Sequence, residues 1–462
     1  MKVFVLGLDG APPELVFGEW LDSLPNLKKL VGSGLHGTLE STIPPSTTIA
    51  WNALASGQDA SGLGIYSYTY REGNKTRLYN SLHIKARLLW DILSDAGKKV
   101  TVLNVPLTYP PKKVNGHMVT DFLTPDASCE FTYPPSLKQE LHAFLGKDYQ
   151  FDATDEGLGG YKSVEKTQLL KRIYEMTDIH LKTLKHMLKK DWDFLICDIL
   201  GSDRMLHTFL SYYDKSHPKY TPSAFGSALP EFFTYLDREI GEILSLLPKD
   251  TLVVVCSDHG IRKVLGKINL NDWLMREGYL FLKAPLRSPV KFDFSLVDWS
   301  KTKAYAIGSY QGRIYFNLEG RDEHGVVKRK EYESLQKELT EKLTLIPDDK
   351  GKTLETKVFR PQDIYSGPHK DKAPDLFVYF DNLVWGVNND FGNEGLHSQE
   401  DTVGATDGGH SPDGLIIVSG PGIPKKDLGR MKITDVACFI LDRMGVPVPR
   451  EIDRLGVWHA LL

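Results

Sequence analysis

Residues 250–260 read DTLVVVCSDHG, an unbroken apolar run that ends in Ser257, Asp258, His259 and a glycine. A run of this length is too short for a helix and is typical of a strand buried on both faces of a sheet. In α/β sheets, ligands bind beyond the carboxyl ends of such strands. The stretch therefore predicts a parallel sheet with Asp258 and His259 at its functional edge.

The same pattern recurs on both sides of this strand. Short apolar runs that end in polar or glycine-rich corners occur at KVFVLGLDG (2–10), KKVTVLNVP (98–106), DWDFLICDI (191–199) and PDGLIIVSGPG (412–422). Segments with helical periodicity lie between them, at 24–34, 86–99, 163–190 and 229–247. Strands that alternate with helices indicate an α/β fold, with a mainly parallel sheet covered by helices on both faces.

Two regions depart from this alternation, residues 66–134 and 264–400. We interpret both as insertions that wall or cover a site on the main sheet. A chain of 462 residues can hold one catalytic core enlarged by insertions. We therefore expect a single catalytic domain over 1–462, with residues 264–400 as an inserted cap or lid.

Composition narrows the class of partner. The 56 basic and 60 acidic residues give a net charge of -4, so no overall positive field would recruit bulk nucleic acid or an anionic membrane. The four cysteines form no Cys-x-x-Cys pair, which argues against a disulfide scaffold or a thiolate zinc site. Asp9 interrupts the first apolar run before it reaches signal-peptide length, and no later stretch is long enough to span a bilayer. We expect a cytoplasmic protein with a small charged substrate, and the oligomeric state stays open.

The segment GSGLHG (32–37) fits the Gly-x-Gly-x-x-Gly pattern of a dinucleotide site. That motif needs a strand before it and a helix after it. Here a helix-like segment precedes it and a strand-like segment follows, so we interpret the glycines as the end of a helix and predict no nucleotide cofactor.

Aspartates and histidines accumulate at the ends of the predicted strands. They are Asp9 in GLDG, Asp203 and His207 in GSDRMLH, Asp258 and His259 in CSDHG, and His410 in GGHSPDG. Carboxylate oxygens and imidazole nitrogens together suit Zn²⁺ or Mn²⁺ rather than Ca²⁺. Six such ligands exceed the needs of one tetrahedral ion, so the pattern predicts two divalent ions, zinc first and manganese as the alternative. Each residue alone also has a structural interpretation, as a helix cap, a solvated ion pair or a turn.

A second polar concentration lies in IPPSTTIAWNALASG (43–57), where Ser46, Thr47 and Thr48 precede an apolar, helix-like run. Hydroxyl side chains at this place commonly cap a helix. A hydroxyl at the positive end of a helix can instead be a nucleophile, because a bound phosphate would be stabilised there. The stretch alone leaves both interpretations open.

These fragments, in this order, resemble the metal-binding signatures of the alkaline phosphatase superfamily. The resemblance is to the type I phosphodiesterase/nucleotide pyrophosphatase branch and to its predicted phosphohydrolase/phosphomutase relatives. It rests on GLDG, PPSTTIAWNALASG, DRMLH, SDHG and GGHSPDGLIIVSGPG, which extend from residue 7 to residue 422. The absence of a Cys-x-Pro-x-Arg segment argues against the sulfatase branch, whose nucleophile is made from that cysteine or a serine.

The resemblance implies a role for each residue. Thr47 aligns with the nucleophilic threonine of the family. One metal ion would be held by Asp203, His207 and His410. The other would be held by Asp9, Asp258, His259 and Thr47 itself.

One departure from the family pattern concerns the substrate. Nucleotide pyrophosphatases have an asparagine that helps hold a phosphate oxygen, whereas this chain reads LGIYSYTY (63–70), with Tyr68 at the equivalent count. Ser67 or Tyr68 would have to donate instead. We therefore expect a small phosphoric ester as substrate, a diester or a nucleotide pyrophosphate, cleaved through a phospho-threonine intermediate.

Two other functions are kept as alternatives. A phosphomutase or phosphomonoesterase of the same superfamily would need water excluded and additional basic groups, for which Arg313 and Arg321 of the cap region are candidates. A non-catalytic binding module would use the same fold without turnover. A complete set of ligands beside an aligned hydroxyl favours an enzyme over such a module.

Overall fold

The computed structural model describes residues 1–72, 75–154, 160–161, 163–399, 407–452 and 458. Within them the strands are β1 (Val3–Leu8), β2 (Leu35–Glu40), β3 (Thr69–Glu72), β4 (Lys75–Leu78), β5 (Val100–Leu103), β6 (Gly116–Val119), β7 (Thr132–Tyr133), β8 (Phe194–Ile199), β9 (Leu252–Cys256), β10 (Gly260–Lys263), β11 (Gly266–Asn269), β12 (Ala304–Gly308), β13 (Gly312–Phe316), β14 (Lys357–Phe359), β15 (Leu376–Tyr379), β16 (Trp385–Asn388), β17 (His397–Ser398), β18 (Gly408–Ser411), β19 (Asp413–Ser419) and β20 (Lys426–Lys432).

The helices of the same residues are α1 (Pro25–Ser33), α2 (Thr47–Ser56), α3 (Ala60–Leu63), α4 (Leu89–Asp95), α5 (Ser136–Leu145), α6 (Lys166–Met187), α7 (Gly201–Tyr213), α8 (Ala228–Leu246), α9 (Leu270–Arg276), α10 (Tyr332–Leu343), α11 (Pro361–Ile364) and α12 (Val436–Arg443). All four predicted helical segments contain a helix. As expected, a helix ends and a strand begins within the segment 32–37, since α1 ends at Ser33 and β2 begins at Leu35. None of the helices in the described part of the chain has the length and apolar character needed to cross a membrane.

A nine-stranded sheet forms the centre of the molecule, in the order β20-β2-β19-β9-β1-β8-β5-β6-β7. Strand β1 pairs in parallel with β8 and β9, and β5 pairs in parallel with β8 and β6. The carboxyl ends of β1, β8 and β9 therefore meet at one edge. The prediction of a mainly parallel sheet is confirmed.

One strand of the sheet runs against the predicted direction. Strand β19 pairs antiparallel with both β9 and β2, although its apolar run predicts a parallel strand like its neighbours. A buried antiparallel strand has the same continuous apolar pattern, so the sequence did not give its direction. Because β19 is reversed, its amino end lies at the functional edge, which is why His410 precedes its strand whereas Asp9 and Asp258 follow theirs.

Helices cover both faces of the sheet. On β1, Val3 and Val5 pack in one cluster with α2, α4 and α12. Phe4 and Leu6, which point to the opposite face, pack in a second cluster with α1, α6, α7 and α8. Alternate side chains of a strand face opposite sides, so both faces of β1 are buried and its apolar run has to be continuous.

Residues 264–399 form two further sheets, β16-β11-β17 and β12-β13-β15-β14. Their apolar side chains, from Ile268 to Phe391, make a third hydrophobic cluster with α9 and α10. Residue 400, the last of the expected cap, lies outside the described residues. The cap or lid role of this region stays a prediction.

The interpretation of residues 66–134 as an insertion was wrong for most of that segment. Only the β3–β4 hairpin forms a separate two-stranded sheet, while β5, β6 and β7 complete one edge of the central sheet. Strands β6 and β7 have four and two residues, too few to show a periodic pattern.

Candidate active site

Helix α2 begins at the three hydroxyl residues, and none of them caps it. Ser46 precedes the first turn with extended backbone and makes no side-chain cap. The hydroxyl oxygens of Ser46 and Thr48 are buried without a hydrogen-bond partner. Thr47 Oγ1 instead lies 3.1 Å from Nε2 of His259. The capping interpretation of this stretch is therefore wrong, and Thr47 is the hydroxyl that faces the histidines.

The end of β1 places Asp9 beside the end of β9. Gly10 has a φ of 68°, a left-handed conformation that favours glycine, and its N–H donates to Asp258 Oδ1 at 3.2 Å. Trp51 of α2 donates from Nε1 to Asp9 Oδ2, also at 3.2 Å. Asp9 is thus joined to the nucleophile helix and does not cap the segment after it.

Asp203 and His207 lie one turn apart on α7, with Asp203 Oδ1 3.1 Å from His207 Nε2. Only 2% of Asp203 and 6% of His207 is exposed, so the interpretation as a solvated pair is wrong. The other oxygen of Asp203 accepts from Arg204 Nη1 at 2.8 Å. Arg204 also makes two bonds to Asp152, at 3.1 and 2.7 Å, which fixes the start of α7 to a preceding loop.

His410 reaches the site from β18. This strand pairs antiparallel with β10, so that His410 lies opposite Ile261, two residues after His259. The His410 ring stacks on the His259 ring with centroids 3.7 Å apart. Residues that are distant in sequence thus present their imidazoles side by side.

The three histidines share one hydrogen-bonding arrangement. In each, Nδ1 contacts a backbone carbonyl oxygen: Gly408 for His207 at 2.6 Å, Gly260 for His259 at 3.1 Å and Pro45 for His410 at 2.7 Å. A carbonyl can only accept, so each Nδ1 carries the proton and each Nε2 presents a lone pair. This is the arrangement that backbone carbonyls impose on metal-ligating histidines.

The carboxylates facing these nitrogens are equally short of donors. Asp9 Oδ1, Asp203 Oδ1 and Asp258 Oδ2 are buried and accept no hydrogen bond. Asp258 Oδ2 lies 3.1 Å and Asp9 Oδ1 3.8 Å from His259 Nε2. Lone pairs that converge in a buried space repel one another unless a cation lies between them. The residues present therefore fit a divalent metal centre.

Two overlapping groups have their ligand atoms within 4.8 Å of one another, Asp203 with His207 and His410, and Asp9 with Asp203 and His259. The first is the set that the resemblance implies for one ion. In the second, Asp203 stands where the resemblance implies Asp258. Asp203 thus lies between the two groups, and Asp258 adjoins the second through His259. The individual roles of these ligands stay predictions.

The pKa shifts reflect this burial. Desolvation lowers the pKa of His259 to about 4 and, with the neighbouring His259 and His207, holds the pKa of His410 well below its ordinary value. Both rings are therefore neutral at pH 7 and able to ligate. Burial, and then the charges of Asp258 and Asp203, raise the pKa of Asp9 well above its ordinary value, a shift that a bound cation would oppose.

Tyr68, which the resemblance places at the count of the family's asparagine, lies near Thr47. Burial raises the pKa of Tyr68 well above the ordinary value, and the nearby hydroxyl of Thr47 opposes that shift. The hydroxyl of Tyr68 is thus beside the atom that would attack phosphorus. The expectation that Tyr68 or Ser67 replaces the asparagine stays a prediction, with the geometry favouring Tyr68.

Sequence reasoning missed three residues at the site. Tyr310, at the tip of the β12–β13 hairpin, stacks on His410 and His207 with centroid distances of 4.2 and 5.4 Å. Asp198 near the end of β8 is fully buried, and burial followed by the charge of Asp9 raises its pKa well above the ordinary value. The third is Arg204. A carboxylate inside the apolar run DWDFLICDI was a usable signal for Asp198, whereas no local pattern indicates Tyr310.

The two basic residues considered for the cap do not join this cluster. Arg321 donates to both carboxylate oxygens of Asp375 at 2.8 Å. Arg313 lines a separate cavity. Within the described part of the chain, neither arginine forms a hydrogen bond with Thr47.

A protein-family model and several solved structures match this chain. A family model described as type I phosphodiesterase/nucleotide pyrophosphatase matches residues 3–409. Human ectonucleotide pyrophosphatase/phosphodiesterase 5 is similar in structure over 97% of this chain and 96% of its own, with a TM-score of 0.57 and 13% sequence identity. Phosphonoacetate hydrolase from Sinorhizobium meliloti 1021, solved with phosphonoformate, is similar over 96% and 95%, with a TM-score of 0.59 and 14% identity. No curated protein is significantly similar in sequence.

Proposed function

The chain belongs to the type I phosphodiesterase/nucleotide pyrophosphatase family of phosphoester hydrolases, and we propose that it is a two-metal enzyme that cleaves phosphoric diesters or nucleotide pyrophosphates through a covalent intermediate on Thr47. The observation that carries this proposal is the position of the Thr47 hydroxyl. It lies at the start of α2, 3.1 Å from His259 Nε2, beside two overlapping groups of buried ligands.

The metal ions would be zinc or manganese. Asp203, His207 and His410 would hold one, and Asp9, Asp258, His259 and Thr47 the other. Bound divalent ions would lower the pKa of the attacking hydroxyl and neutralise charge on the attacking and leaving oxygens. The lone pairs of the three Nε2 atoms and the three unpartnered carboxylate oxygens support this assignment.

The proposed reaction consists of two successive displacements at phosphorus. In the first, a bond forms between Thr47 Oγ1 and phosphorus, the bond from phosphorus to the leaving oxygen breaks, and the proton lost by Thr47 is taken up by the leaving group. In the second, water attacks the same phosphorus and the Oγ1–phosphorus bond breaks, so that Thr47 regains a proton. With a diester, the intermediate keeps the second substituent of the substrate.

Two features of the chain would hold the substrate. The first N–H groups of a helix have no intrahelical acceptor, so the start of α2 offers donors to the non-bridging phosphate oxygens. Tyr68, whose hydroxyl lies near Thr47, would supply a further donor. The stacked ring of Tyr310 covers His207 and His410 and restricts solvent there.

The charge around Thr47 favours a diester. The basic side chain of Arg204 contacts the candidate ligand Asp203, and it is engaged by both Asp152 and Asp203. A doubly charged monoester needs more positive charge than a singly charged diester. The phosphomutase or phosphomonoesterase alternative would need a further basic group, and Arg321 is already paired with Asp375.

The experiment is a rate comparison on purified protein freed of metal and reloaded with Zn²⁺ or Mn²⁺. The substrates are bis(p-nitrophenyl) phosphate, p-nitrophenyl phosphate and a nucleoside diphosphate ester. The rate of cleavage is measured as the release of p-nitrophenol or of nucleoside monophosphate. Metal-dependent cleavage of the diesters that Thr47→Ala abolishes supports the proposal. Absence of cleavage of every ester with either ion would refute it.

A further inference from the structure

A cavity of about 530 Å³ is lined by residues of the segment 64–85 and by residues of the cap region. Its volume is in the range of small-molecule sites. Two segments that touch the active site also line it. One carries Tyr68 between the lining residues Tyr66 and Thr69, and the other is the hairpin whose tip is Tyr310 and whose strands contribute Ile307 and Arg313.

The walls of the cavity are aromatic. Tyr305 pairs with Tyr315 and Ile307 with Arg313 across β12 and β13, so these four side chains share one face of the cap sheet. The rings of Tyr305 and Tyr315 stack with centroids 5.4 Å apart. Tyr70 and Tyr79, with centroids 4.9 Å apart, form the facing wall.

The lining includes five Lys or Arg side chains and two carboxylates. Two of the arginines are matched by acids: Arg71 lies 3.1 Å from Asp322, and Arg321 is bound by Asp375. Because these two arginines are paired, the excess positive charge of the cavity lining lies on its other basic side chains.

Arg313 differs from those arginines. Only 8% of Arg313 is exposed. Its Nε donates a long hydrogen bond, of 3.4 Å, to the carbonyl oxygen of Ile307. No carboxylate in the described ranges pairs with its guanidinium. An unmatched buried charge is costly, and a guanidinium forms its best pairs with carboxylate or phosphate.

Each of these two segments connects a residue at the candidate active site with a basic residue of the cavity lining. Arg313 is three positions after Tyr310, and Arg71 is three positions after Tyr68, a span of about 10 Å in extended chain. Because Tyr310 stacks on His410, its hairpin extends from the ligand cluster to Arg313 in the cavity lining.

We propose that this cavity binds the second substituent of the substrate diester, and that the substituent ends in an anionic group, a carboxylate or a phosphate, that pairs with Arg313. The proposal rests on the proposed function, because the other end of the substrate is the phosphoryl group attacked by Thr47. The tyrosine walls hold the part of the substituent between its two charges. Arg313 is therefore a specificity-determining residue.

The test uses p-nitrophenyl phosphodiesters with one leaving group and three second substituents, 6-hydroxyhexanoate, its neutral amide and a hexyl chain that ends in phosphate. The native enzyme should cleave at least one of the anionic esters with kcat/KM about tenfold or more above the amide, a difference of about 1.4 kcal/mol. The better anion identifies the group. In Arg313→Gln this ratio should fall to near one, and Arg313→Lys should restore part of it.

Arg360→Gln is the matched control, since Arg360 is a half-exposed arginine paired with Asp363 that does not line the cavity. It should keep the native ratio. Equal rates for the three esters in the native enzyme, or a ratio that survives Arg313→Gln, would overturn the proposal while leaving the proposed function intact.

A binding measurement separates the two proposals. Calorimetric titration with the matching non-hydrolysable p-nitrobenzylphosphonate esters requires no turnover. Tighter binding of an acid than of the amide, lost in Arg313→Gln, would support the cavity proposal even if no diester were cleaved. Equal affinities would overturn it.

Discussion

The hydroxyl oxygen of Thr47 lies 3.1 Å from Nε2 of His259, across 212 residues of sequence. The contact joins the start of α2 to the end of β9, two places that polar residues mark independently. His259 has its other ring nitrogen on the carbonyl of Gly260, so the atom facing Thr47 is the one with the lone pair. This relationship distinguishes Thr47 from the hydroxyls on either side of it.

Replacing Thr47 should therefore be far more damaging than replacing its neighbour. We expect Thr47→Ala to lower kcat on a diester by about a thousandfold or more, since the attacking oxygen is lost. Thr48→Ala is the matched control because Thr48 is also buried and its hydroxyl has no partner, and it should cost less than about tenfold. Steady-state assays of both variants decide the matter. The reverse order of effects would mean that the register of α2 is misassigned by one residue.

Metal analysis should give two divalent ions per chain, because two groups of ligands overlap at Asp203. His410→Ala removes a ligand from the first group and should lower the stoichiometry to one. His180→Gln changes a buried histidine of α6 outside the site and should keep two. Plasma mass spectrometry of zinc-loaded, dialysed protein measures each value. A native stoichiometry of one that His410→Ala does not change would contradict the two-metal assignment.

Diesters should be preferred over monoesters. We expect kcat/KM for bis(p-nitrophenyl) phosphate to exceed that for p-nitrophenyl phosphate by about tenfold, which corresponds to about 1.4 kcal/mol of transition-state binding. The physical reason is that the arginine beside the ligands, Arg204, is already paired with Asp152 and Asp203. A comparable preference for the monoester would show that a basic group reaches the phosphate and would favour the phosphomonoesterase or phosphomutase alternative.

The stability of the metal-free protein should depend on His180. Burial lowers its pKa to about 4, against about 6.5 in the unfolded chain. The unfolded state therefore binds an extra proton between these values, so the contribution is complete above pH 6.5 and is lost as the pH falls toward 4. The loss amounts to about 3 kcal/mol.

Chemical denaturation at pH 7 and pH 4.5 tests this. His180→Gln keeps a donor for the carbonyl of Gln150, which the histidine contacts at 2.9 Å, but does not titrate. Its free energy of unfolding should fall less than that of the native protein between the two pH values. Equal losses in both proteins would show that His180 does not carry the effect.

Local patterns in the sequence were sufficient for five adjacent strands of the central sheet, β19, β9, β1, β8 and β5, and for the residues brought together at their edge. Continuous apolar runs show that a strand is buried on two faces. The polar residue after each run, such as Asp9 or Asp258, can be identified without knowing which strand pairs with it. The direction of β19 could not be read in this way, because the apolar pattern of a strand buried on both faces is the same in parallel and antiparallel neighbours.

Other features depend on tertiary contacts that no local pattern reports. Tyr310 comes to His410 on a hairpin of the cap region, and Arg204 meets Asp152 through a loop 52 residues away. The stretch that begins α2 taken alone favours capping over catalysis, and the contact of Thr47 with His259 is what distinguishes the two. Spacing alone could not choose between them.

The stereochemical course at phosphorus tests the covalent mechanism most directly. Each in-line displacement inverts configuration, so attack by Thr47 followed by attack of water should give overall retention. A p-nitrophenyl alkyl phosphorothioate of one configuration, hydrolysed in ¹⁸O-water with the metal-loaded enzyme, reports the outcome even if the intermediate does not accumulate. The account predicts retention in the thiophosphate product. Inversion would mean a single direct attack by water and would contradict the role of Thr47 as nucleophile.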